Sequence, residues 1–413
     1  MSRNLIAGVA LFVCLVINGA WTAPGCSQTA PGDAAFKHLD DLVTLDEIAD
    51  LVEQHFYDPQ LDVDLWRQRV AEARKAFQDR NDEDRFDEIA NDLLKTLGAS
   101  HTYYFSKLDP KRYQLLGVFE ALYDADRTDL FVYPGIGIDT RDVDGVTRVK
   151  AVYDGLPAAR AGLKHGDQIL SADGAPFHKL RSFQGKVGKS VELQLVRKAE
   201  PLKLAVEVEA LDGRTMFETA LQKSMRGIEH QGRRIGYLHA WSYAGQKYHD
   251  RIEGEVLGGQ LKDCEGLIVD LRDGWGGASL DYLTLFRQPI ADVVSKGRDG
   301  IERRYSGRWT KPVVLITNEG STSGKELLTY GFQKLKLGAV VGQRTAGAVV
   351  AGRAFLLSNG AVLYLAVLDV HVDGQRLEGV GVAPTVEVGR PIDDPADPQL
   401  QAALDAVADA IER

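Results

Sequence analysis

The feature that most restricts the fold of this chain is a series of apolar, strand-like runs between about 213 and 392. The runs are "RRIGYLHAW", "GLIVDLR", "KPVVLIT", "GAVVGQRT", "GRAFLLSNG" and "AVLYLAVLDVHV". Helical patterns separate or follow them, in "LDYLTLFRQP", after Ser323, and in the closing segment "DPQLQAALDAVADAIER". Strands that alternate with helices predict an α/β layer architecture. We therefore expect residues 213–413 to form one α/β domain with a C-terminal helix.

The segment before residue 98 has a different, helical pattern. "TLDEIADLVEQHF" begins with Thr44 and Glu47, a spacing that predicts a capping box at a helix start. "DVDLWRQRVAEARKAF" and "RFDEIANDLLKTLG" are two further amphipathic stretches, and Gly98 is a suitable stop. We predict an N-terminal helical domain over 26–130, in which Ser100 and His101 lie on a loop after the third helix.

Residues 131–212 combine short alternating strands with glycine turns. "YPGIGID" and "PAARAGLKHGDQILSADG" resemble the PDZ domains of bacterial proteases, so we expect a PDZ-like β domain here. By this resemblance Gly135, Ile136, Gly137 and Ile138 form the loop that binds a peptide carboxylate. Backbone N–H groups of such a loop hold the carboxylate while a strand edge pairs with the peptide. A PDZ-like module whose groove is filled internally is the alternative.

Length and charge limit the classes of function. A chain of 413 residues is too long for one ordinary core, so two or three domains are expected. The formal net charge is −10 and no long basic run occurs, which argues against a nucleic-acid partner.

The first 25 residues have the pattern of an export signal. Arg3 precedes the apolar run "LIAGVALFVCLVINGAW", and small residues follow it. "APGC" resembles a degenerate lipobox, so lipidation of Cys26 and attachment to a membrane is an alternative to plain cleavage; a transmembrane anchor is another. We expect an exported protein of the periplasm or cell envelope. Cys264 precedes an apolar strand, which predicts a small buried thiol.

Ser323 is the first candidate for chemistry. It follows the strand "KPVVLIT" and precedes a helix, and active sites of open α/β sheets lie at the carboxyl ends of strands. The positive end of the helix dipole favours a developing negative charge there. The alternative is purely structural, because Ser323-Gly324-Lys325-Glu326 also fits the S-x-x-E capping box.

A glycine-rich loop forms the second candidate constellation. In "DLRDGWGGAS" an apolar strand ends at Asp270, and Gly274, Gly276 and Gly277 follow it. Glycines allow the backbone to approach a ligand closely. An ordinary strand-ending turn is the alternative.

Together these motifs resemble the superfamily of carboxyl-terminal processing (tail-specific) proteases and tricorn core proteases. The resemblance covers residues 36–392 and implies a crotonase-like α/β serine-protease domain. "STSGKE" is similar to the S-A-S-A-x-E motif of the family, which implies that Ser323 is the nucleophile. "GLIVDLRDGWGG" is similar to the oxyanion loop of the family. The loop motif implies an oxyanion donor at the N–H of Gly276, with Gly277 as the near alternative, and the serine motif implies a second donor at the N–H of Gly324.

The chain departs from the processing branch at the general base. That branch has a lysine in T-x-G-K, whereas Thr345-Ala346-Gly347 is followed here by Ala348. The supporting glutamine of the branch is replaced by Gly352. Lys325 lies two residues into the helix of Ser323, so we expect it to point away from that hydroxyl.

The tricorn-like branch uses a serine–histidine pair upstream of the PDZ domain and a glutamate in the closing motif. Ser100, His101 and Glu378 occupy those places in "GASHTYY" and "LEGVGV". The resemblance implies that His101 is the general base, Ser100 orients it, and Glu378 supports the charge network. His239 and His371 lie on strands of the α/β region and are rival bases.

The sequence therefore predicts an exported serine endopeptidase that cleaves peptides or unfolded proteins through an acyl-enzyme at Ser323. No metal and no organic cofactor are implied, and the oligomeric state is not indicated. A non-catalytic protein that binds peptides or hydrophobic ligands on the same scaffold is the main alternative. A carboxylesterase is a further one, because the same acyl chemistry cleaves esters.

Overall fold

Three amphipathic patterns near the N-terminus form helices, as predicted. The computed structural model describes residues 33–78, 85–287, 291, 293–305, 307–392 and 396–413. The first elements are α1 (Asp33–His55), α2 (Val63–Gln78), α3 (Phe86–Lys95), β1 (Tyr103–Phe105) and α4 (Pro110–Val118). The predicted capping box at Thr44 is wrong, because α1 runs through that residue and buries its side chain. The predicted signal segment 1–25 and Cys26 lie outside the described residues.

Among the described side chains, the helices α1 to α3 share their core with the C-terminal part of the chain. Their buried side chains, among them Ile48, Trp66 and Leu94, form one apolar cluster with Leu363 and Leu365 from the C-terminal part of the chain. β1 pairs antiparallel with the strand that carries these leucines. The N-terminal helices thus pack against a hairpin of the α/β region, 351–368, and do not form a separate unit.

The middle of the chain forms the β-rich region that the PDZ resemblance implies. Its elements are β2 (Val132–Gly135), β3 (Ile138–Val143), β4 (Val146–Val152), α5 (Pro157–Arg160), β5 (Gln168–Ala172), β6 (Ala175–Pro176), β7 (Ser190–Arg197), β8 (Glu200–Glu207) and β9 (Glu209–Asp212). β2 pairs with β9 and closes the region, while β3, β4, β5, β7 and β8 form a separate sheet in that order. β3 lies at one edge of this sheet.

The C-terminal half alternates strands and helices. Its elements are α6 (Met216–Ser224), β10 (Arg226–His230), β11 (Arg233–His239), α7 (Gln246–Leu257), β12 (Gly266–Asp270), β13 (Val293–Lys296), β14 (Glu302–Tyr305), β15 (Val313–Thr317), α8 (Gly324–Lys334), β16 (Val340–Gly342), β17 (Ala351–Leu356), β18 (Val362–Leu368), β19 (His371–Val372), β20 (Gln375–Arg376), β21 (Val386–Glu387) and α9 (Pro398–Glu412). The stretch predicted as a helix in "LDYLTLFRQP" is a 3₁₀ helix, Leu280–Phe286.

One mixed sheet positions the candidate site. Its order is β10-β11-β12-β15-β16-β21, and all pairs except β10 with β11 are parallel. The carboxyl ends of β12 and β15 therefore lie side by side, so the "DGWGG" loop and the segment leading to Ser323 emerge from the same edge. α9 packs on β11, β12 and β15. Cys264 is a free, buried thiol as predicted. Within the described residues, no helix is both long and apolar enough to span a bilayer.

Candidate active site

Ser323 occupies the turn between β15 and α8 in a strained backbone conformation. Its dihedral angles are φ 57° and ψ −127°, and the residue forms a capping box with Glu326. An ordinary N-cap residue lies in the extended region. A non-glycine residue at positive φ is uncommon and costs on the order of 1–3 kcal/mol, and such strain clusters at functional sites. Capping alone does not account for this conformation.

Gly276 lies directly against Ser323. A Cβ atom on Gly276 would stand 2.6 Å from the Cβ of Ser323 and 3.1 Å from the backbone nitrogen of Gly324. No side chain therefore fits at this position. Gly324 is the first residue of α8, where a backbone N–H has no acceptor within the helix. Gly277, the alternative donor, has φ 89° and packs against Ala244, and its carbonyl carbon would stand 2.8 Å from a Cβ on Gly324.

Ser100 and His101 form a hydrogen-bonded chain with Glu378, which is far from them in sequence. The Oγ of Ser100 lies 2.9 Å from Nδ1 of His101 and donates to Oε2 of Glu378 at 3.0 Å. A hydroxyl has one proton, so the Ser100 oxygen must accept the proton on Nδ1. The lone pair of His101 is then on Nε2, which is the tautomer that a general base needs.

Glu378 is held as a carboxylate by backbone donors. It accepts from the N–H of Ser100 at 2.9 Å, of Val349 at 2.7 Å and of Val350 at 3.1 Å. Burial alone would raise the pKa of Glu378, but these N–H groups and the Ser100 hydroxyl outweigh it and hold the pKa below its ordinary value.

The loop after β16 connects the hydrogen-bonded residues Ser100, His101 and Glu378 to Ser323. The N–H of Ser323 donates to the carbonyl oxygen of Ala348 at 2.7 Å, and the next two residues, Val349 and Val350, donate to Glu378. Glu326 accepts from the N–H groups of Gly347 and Ala348 at 2.8 and 2.7 Å. A single short loop thus contacts both the start of α8 and Glu378, which is hydrogen-bonded to Ser100.

His101 is buried, with 6% of its surface exposed, and has a φ of 54°. Its ring packs on Tyr364 with the ring centroids 5.1 Å apart. Burial lowers the pKa of His101 to about 4, although the charge of Glu378 acts in the opposite direction. The imidazole is therefore neutral near pH 7, as a base must be before it accepts a proton.

The rival histidines have other surroundings. His239 is buried, stacks on Trp241 with ring centroids 3.4 Å apart, and has Nε2 2.9 Å from the carbonyl oxygen of Arg272. Its Nε2 must donate to that oxygen and cannot offer a lone pair. His371 is exposed, and its nearest charged partner is Asp369. Neither residue belongs to the hydrogen-bonded chain of Ser100 and Glu378.

Lys325 is buried, and its ammonium group is occupied by backbone acceptors. Nζ donates to the carbonyl oxygen of Asp273 at 2.6 Å and of Trp241 at 3.4 Å. Burial lowers the pKa of Lys325 to about 7. The side chain extends from the start of α8 toward the glycine-rich loop.

The four PDZ residues surround a tight turn at the edge of the PDZ sheet. Gly135 ends β2, and the buried Ile136 and the following Gly137 accept hydrogen bonds from Ala158 and Tyr153 through their carbonyl oxygens. Gly137 has φ 80°, and a Cβ there would meet Leu156 at 2.5 Å. Ile138 begins the edge strand β3.

Sequence reasoning missed several residues that shape the site. Glu326 was assigned only to capping, yet its Oε2 also accepts from the Thr345 hydroxyl at 2.5 Å. Tyr364 and the backbone of Val349 and Val350 carried no motif. The retained Thr345-Ala346-Gly347 was the one available signal for this loop. No cluster of three or more His, Cys, Asp or Glu suited to a metal ion occurs within the described part of the chain.

Comparisons with known proteins agree with this architecture. Residues 234–388 match the model of peptidase family S41, and residues 134–208 match a PDZ domain model. The carboxy-terminal processing protease CtpB of Bacillus subtilis (strain 168) is 24% identical over 318 residues, covering 72% of this chain and 62% of that protein. A tricorn protease homolog 2 of Streptomyces coelicolor is 28% identical over 394 residues, covering 89% of this chain and 32% of that protein.

A crystal structure of the tricorn protease shares the fold. It superposes with a TM-score of 0.54 at 22% identity, covering 91% of this chain and 37% of the tricorn chain. The chain thus spans less than two thirds of these relatives. A PDZ match followed by a peptidase family S41 match, together with these relatives, supports a relationship to the superfamily of carboxyl-terminal processing and tricorn proteases.

Proposed function

We propose that this protein is an exported serine endopeptidase in which Ser323 is the nucleophile and His101 the general base. Nε2 of His101 takes the proton of the Ser323 hydroxyl as Oγ attacks the scissile carbonyl carbon. The N–H groups of Gly276 and Gly324 stabilise the oxyanion. The imidazolium returns the proton to the leaving amine, and water then hydrolyses the acyl-enzyme by the reverse sequence.

The observation that carries the proposal is the hydrogen-bonded chain from Glu378 through Ser100 to His101. It holds Nε2 as the basic nitrogen, and the loop 345–350 joins it to the backbone of Ser323. A positioned general base contributes ~10²–10⁴-fold to the rate, and one oxyanion donor contributes about 10²–10³ in kcat. The strain at Ser323 agrees with a nucleophile better than with a cap alone.

The surroundings of Ala348 support a histidine base over a lysine base. Alanine has no ionisable group, and a Cβ on Gly352 would stand 2.4 Å from the Tyr364 ring. The supporting glutamine of a Ser–Lys site would displace Tyr364, which packs on His101.

Substrates are proposed to be peptides or unfolded proteins. The turn at Gly137 leads into the edge strand β3, where an extended C-terminal segment can add a strand and present its carboxylate to the turn. The export pattern of residues 1–25 favours the periplasm or the cell envelope as the place of action.

The test compares matched variants on an unfolded protein substrate and a fluorogenic peptide. We expect Ser323→Ala and His101→Ala each to lower kcat by at least about 10³-fold, because nucleophile and base act as a unit. Ser190→Ala and His371→Ala, at exposed positions, are controls that should retain the rate of the unsubstituted protein. A fluorophosphonate should label the unsubstituted protein and fail on Ser323→Ala.

Wild-type turnover by Ser323→Ala would refute the proposed nucleophile. Absence of turnover and of labelling in the unsubstituted protein, with retained peptide binding, would favour the non-catalytic binding protein. Hydrolysis of p-nitrophenyl esters without cleavage of any peptide would favour the carboxylesterase.

A further inference from the structure

A buried ammonium group lies beside the proposed oxyanion loop and has no role in the proton transfers above. Lys325 has no exposed surface, and its Nζ donates to the carbonyl oxygens of Asp273 and Trp241. The charged groups that act on it are Asp273, Asp270 and Lys150. An apolar residue of similar length would avoid the free-energy cost of burying a charge.

The two carbonyl groups lie where the glycine-rich loop contacts the segment that follows β11. Asp273 belongs to the loop, and Trp241 belongs to that segment. A Cβ on Gly274 would stand 1.8 Å from the carbonyl oxygen of Trp241, so the loop crosses this segment in close contact. The N–H of Trp275 also donates to that oxygen at 2.8 Å. The ammonium group of Lys325 therefore joins α8, the Trp241 segment and the first residue of the loop.

Asp273 adopts a conformation that needs external support. Its φ is 51°, in the left-handed region, and its side chain is buried. The carboxylate pairs with Nζ of Lys150, from strand β4 of the PDZ region, at 3.0 Å and accepts from Asn318 at 3.2 Å. Three residues later the backbone reaches Gly276, against Ser323.

We infer that Lys325 is a positioning residue that holds the Asp273–Gly276 segment so that the N–H of Gly276 faces the oxyanion. The inference rests on the proposed function of Ser323 and Gly276. The charged amine donates to the carbonyl oxygens of Asp273 and Trp241 more strongly than a neutral amine would, because hydrogen bonds of ionised donors are about twice as strong. Lys150 holds the same residue, Asp273, through an ion pair with its carboxylate.

The decisive variant is Lys325→Met, with Lys334→Met as its matched control. Lys334 lies on the same helix but is exposed. We expect Lys325→Met to lower kcat about 10–10²-fold with KM within about twofold, because an oxyanion donor acts mainly in the transition state. Lys334→Met should retain both constants. An unchanged kcat, or a rise in KM alone, would overturn the inference.

The pH profile separates positioning from base catalysis. A protonated Lys325 that holds the loop predicts that kcat falls as the pH rises through about 7, and that this alkaline limb is absent in Lys325→Met. A lysine that acted as the base would instead lose activity as the pH falls through the same value. That second result would overturn the positioning role.

Two further measurements guard against a variant that does not fold. A peptide aldehyde, whose hemiacetal oxygen occupies the oxyanion position, should bind Lys325→Met more weakly in proportion to the loss in kcat. Lys150→Met removes the more accessible support of Asp273 and should lower kcat by about threefold; no change in kcat would count against the inference. Activity in Ser323→Ala, by contrast, would refute the proposed function itself.

Discussion

At the scale of single residues, His101 combines burial with one fixed hydrogen-bond partner. Its 6% exposure excludes most water, and Ser100 occupies Nδ1. Burial lowers the pKa of His101 because the charged imidazolium loses hydration. In the proposed mechanism, Glu378 stabilises the positive charge on the imidazolium through Ser100, and the resting imidazole is neutral.

The acid limb of the pH profile follows from this environment. Protonated His101 cannot accept the Ser323 proton, so we expect kcat/KM to fall only as the pH decreases through about 4, rather than through the ordinary histidine pKa of ~6.5. Glu378→Gln removes the charge that raises the pKa of His101, and should move this limb to lower pH. Steady-state kinetics with a fluorogenic peptide checks both expectations, and an acid limb near 6.5 would contradict them.

At the scale of elements, the loop between β16 and β17 is organised by two carboxylates. Glu378 accepts from Val349 and Val350, while Glu326 of α8 accepts from Thr345, Gly347 and Ala348. Burial raises the pKa of Glu326, against the opposing effect of these donors. The loop has no regular secondary structure of its own, so its shape depends on these acceptors.

Glu326→Ala should therefore destabilise the protein far more than an exposed change. Removing the carboxylate leaves buried donors without an acceptor, at a cost of about 3 kcal/mol in the free energy of unfolding. Glu319→Ala, the matched control, breaks only a half-exposed ion pair with Arg141 and should cost less than about 1 kcal/mol. Urea unfolding followed by circular dichroism measures the difference, and equal costs would refute the anchoring role of Glu326.

At the scale of the whole molecule, the shared core of the N-terminal helices and the hairpin β17–β18 places His101 within the α/β part of the protein. Trp66 and Leu94 from the helices meet Leu363 and Leu365 from β18. Hydrogen bonds also connect the PDZ region to the α/β core. For example, Nε1 of Trp241 donates to Asp154 at 2.9 Å. The positions of His101 and Ser323, the proposed base and nucleophile, therefore depend on one packing arrangement.

Leu363→Ala tests this dependence. Leu363 is fully buried, so its truncation should cost about 2–5 kcal/mol. Because the core is shared, helical ellipticity and fluorophosphonate labelling should be lost together on heating, both at a lower temperature than in the unsubstituted protein. Leu335→Ala, at a position 42% exposed, is the control with little expected change. Helices that melt separately while labelling persists would contradict the single core.

Local patterns predicted the elements of this chain well. Short runs of branched residues such as "KPVVLIT" and "GLIVDLR" became buried parallel strands, because their composition suits only a covered sheet. Where a local signal failed, a longer-range contact prevailed. Thr44 has the spacing of a cap, but burial of α1 against its neighbours extends the helix through it. The partners of Lys325, the carbonyl groups of Trp241 and Asp273, lie in the segments that follow β11 and β12, so no local pattern indicated its burial.

The sequence by itself determined the order of the regions, the α/β class and the residue types available for chemistry, because propensity and periodicity act over a few residues. Only the tertiary structure decided that Ser100 donates to Glu378, 278 positions away, and that the ring of His101 is buried against Tyr364. Such contacts depend on how separate elements pack, and no local pattern encodes the distance between them. The same packing sets the pKa of His101 and of Lys325, since burial is a property of the assembled core.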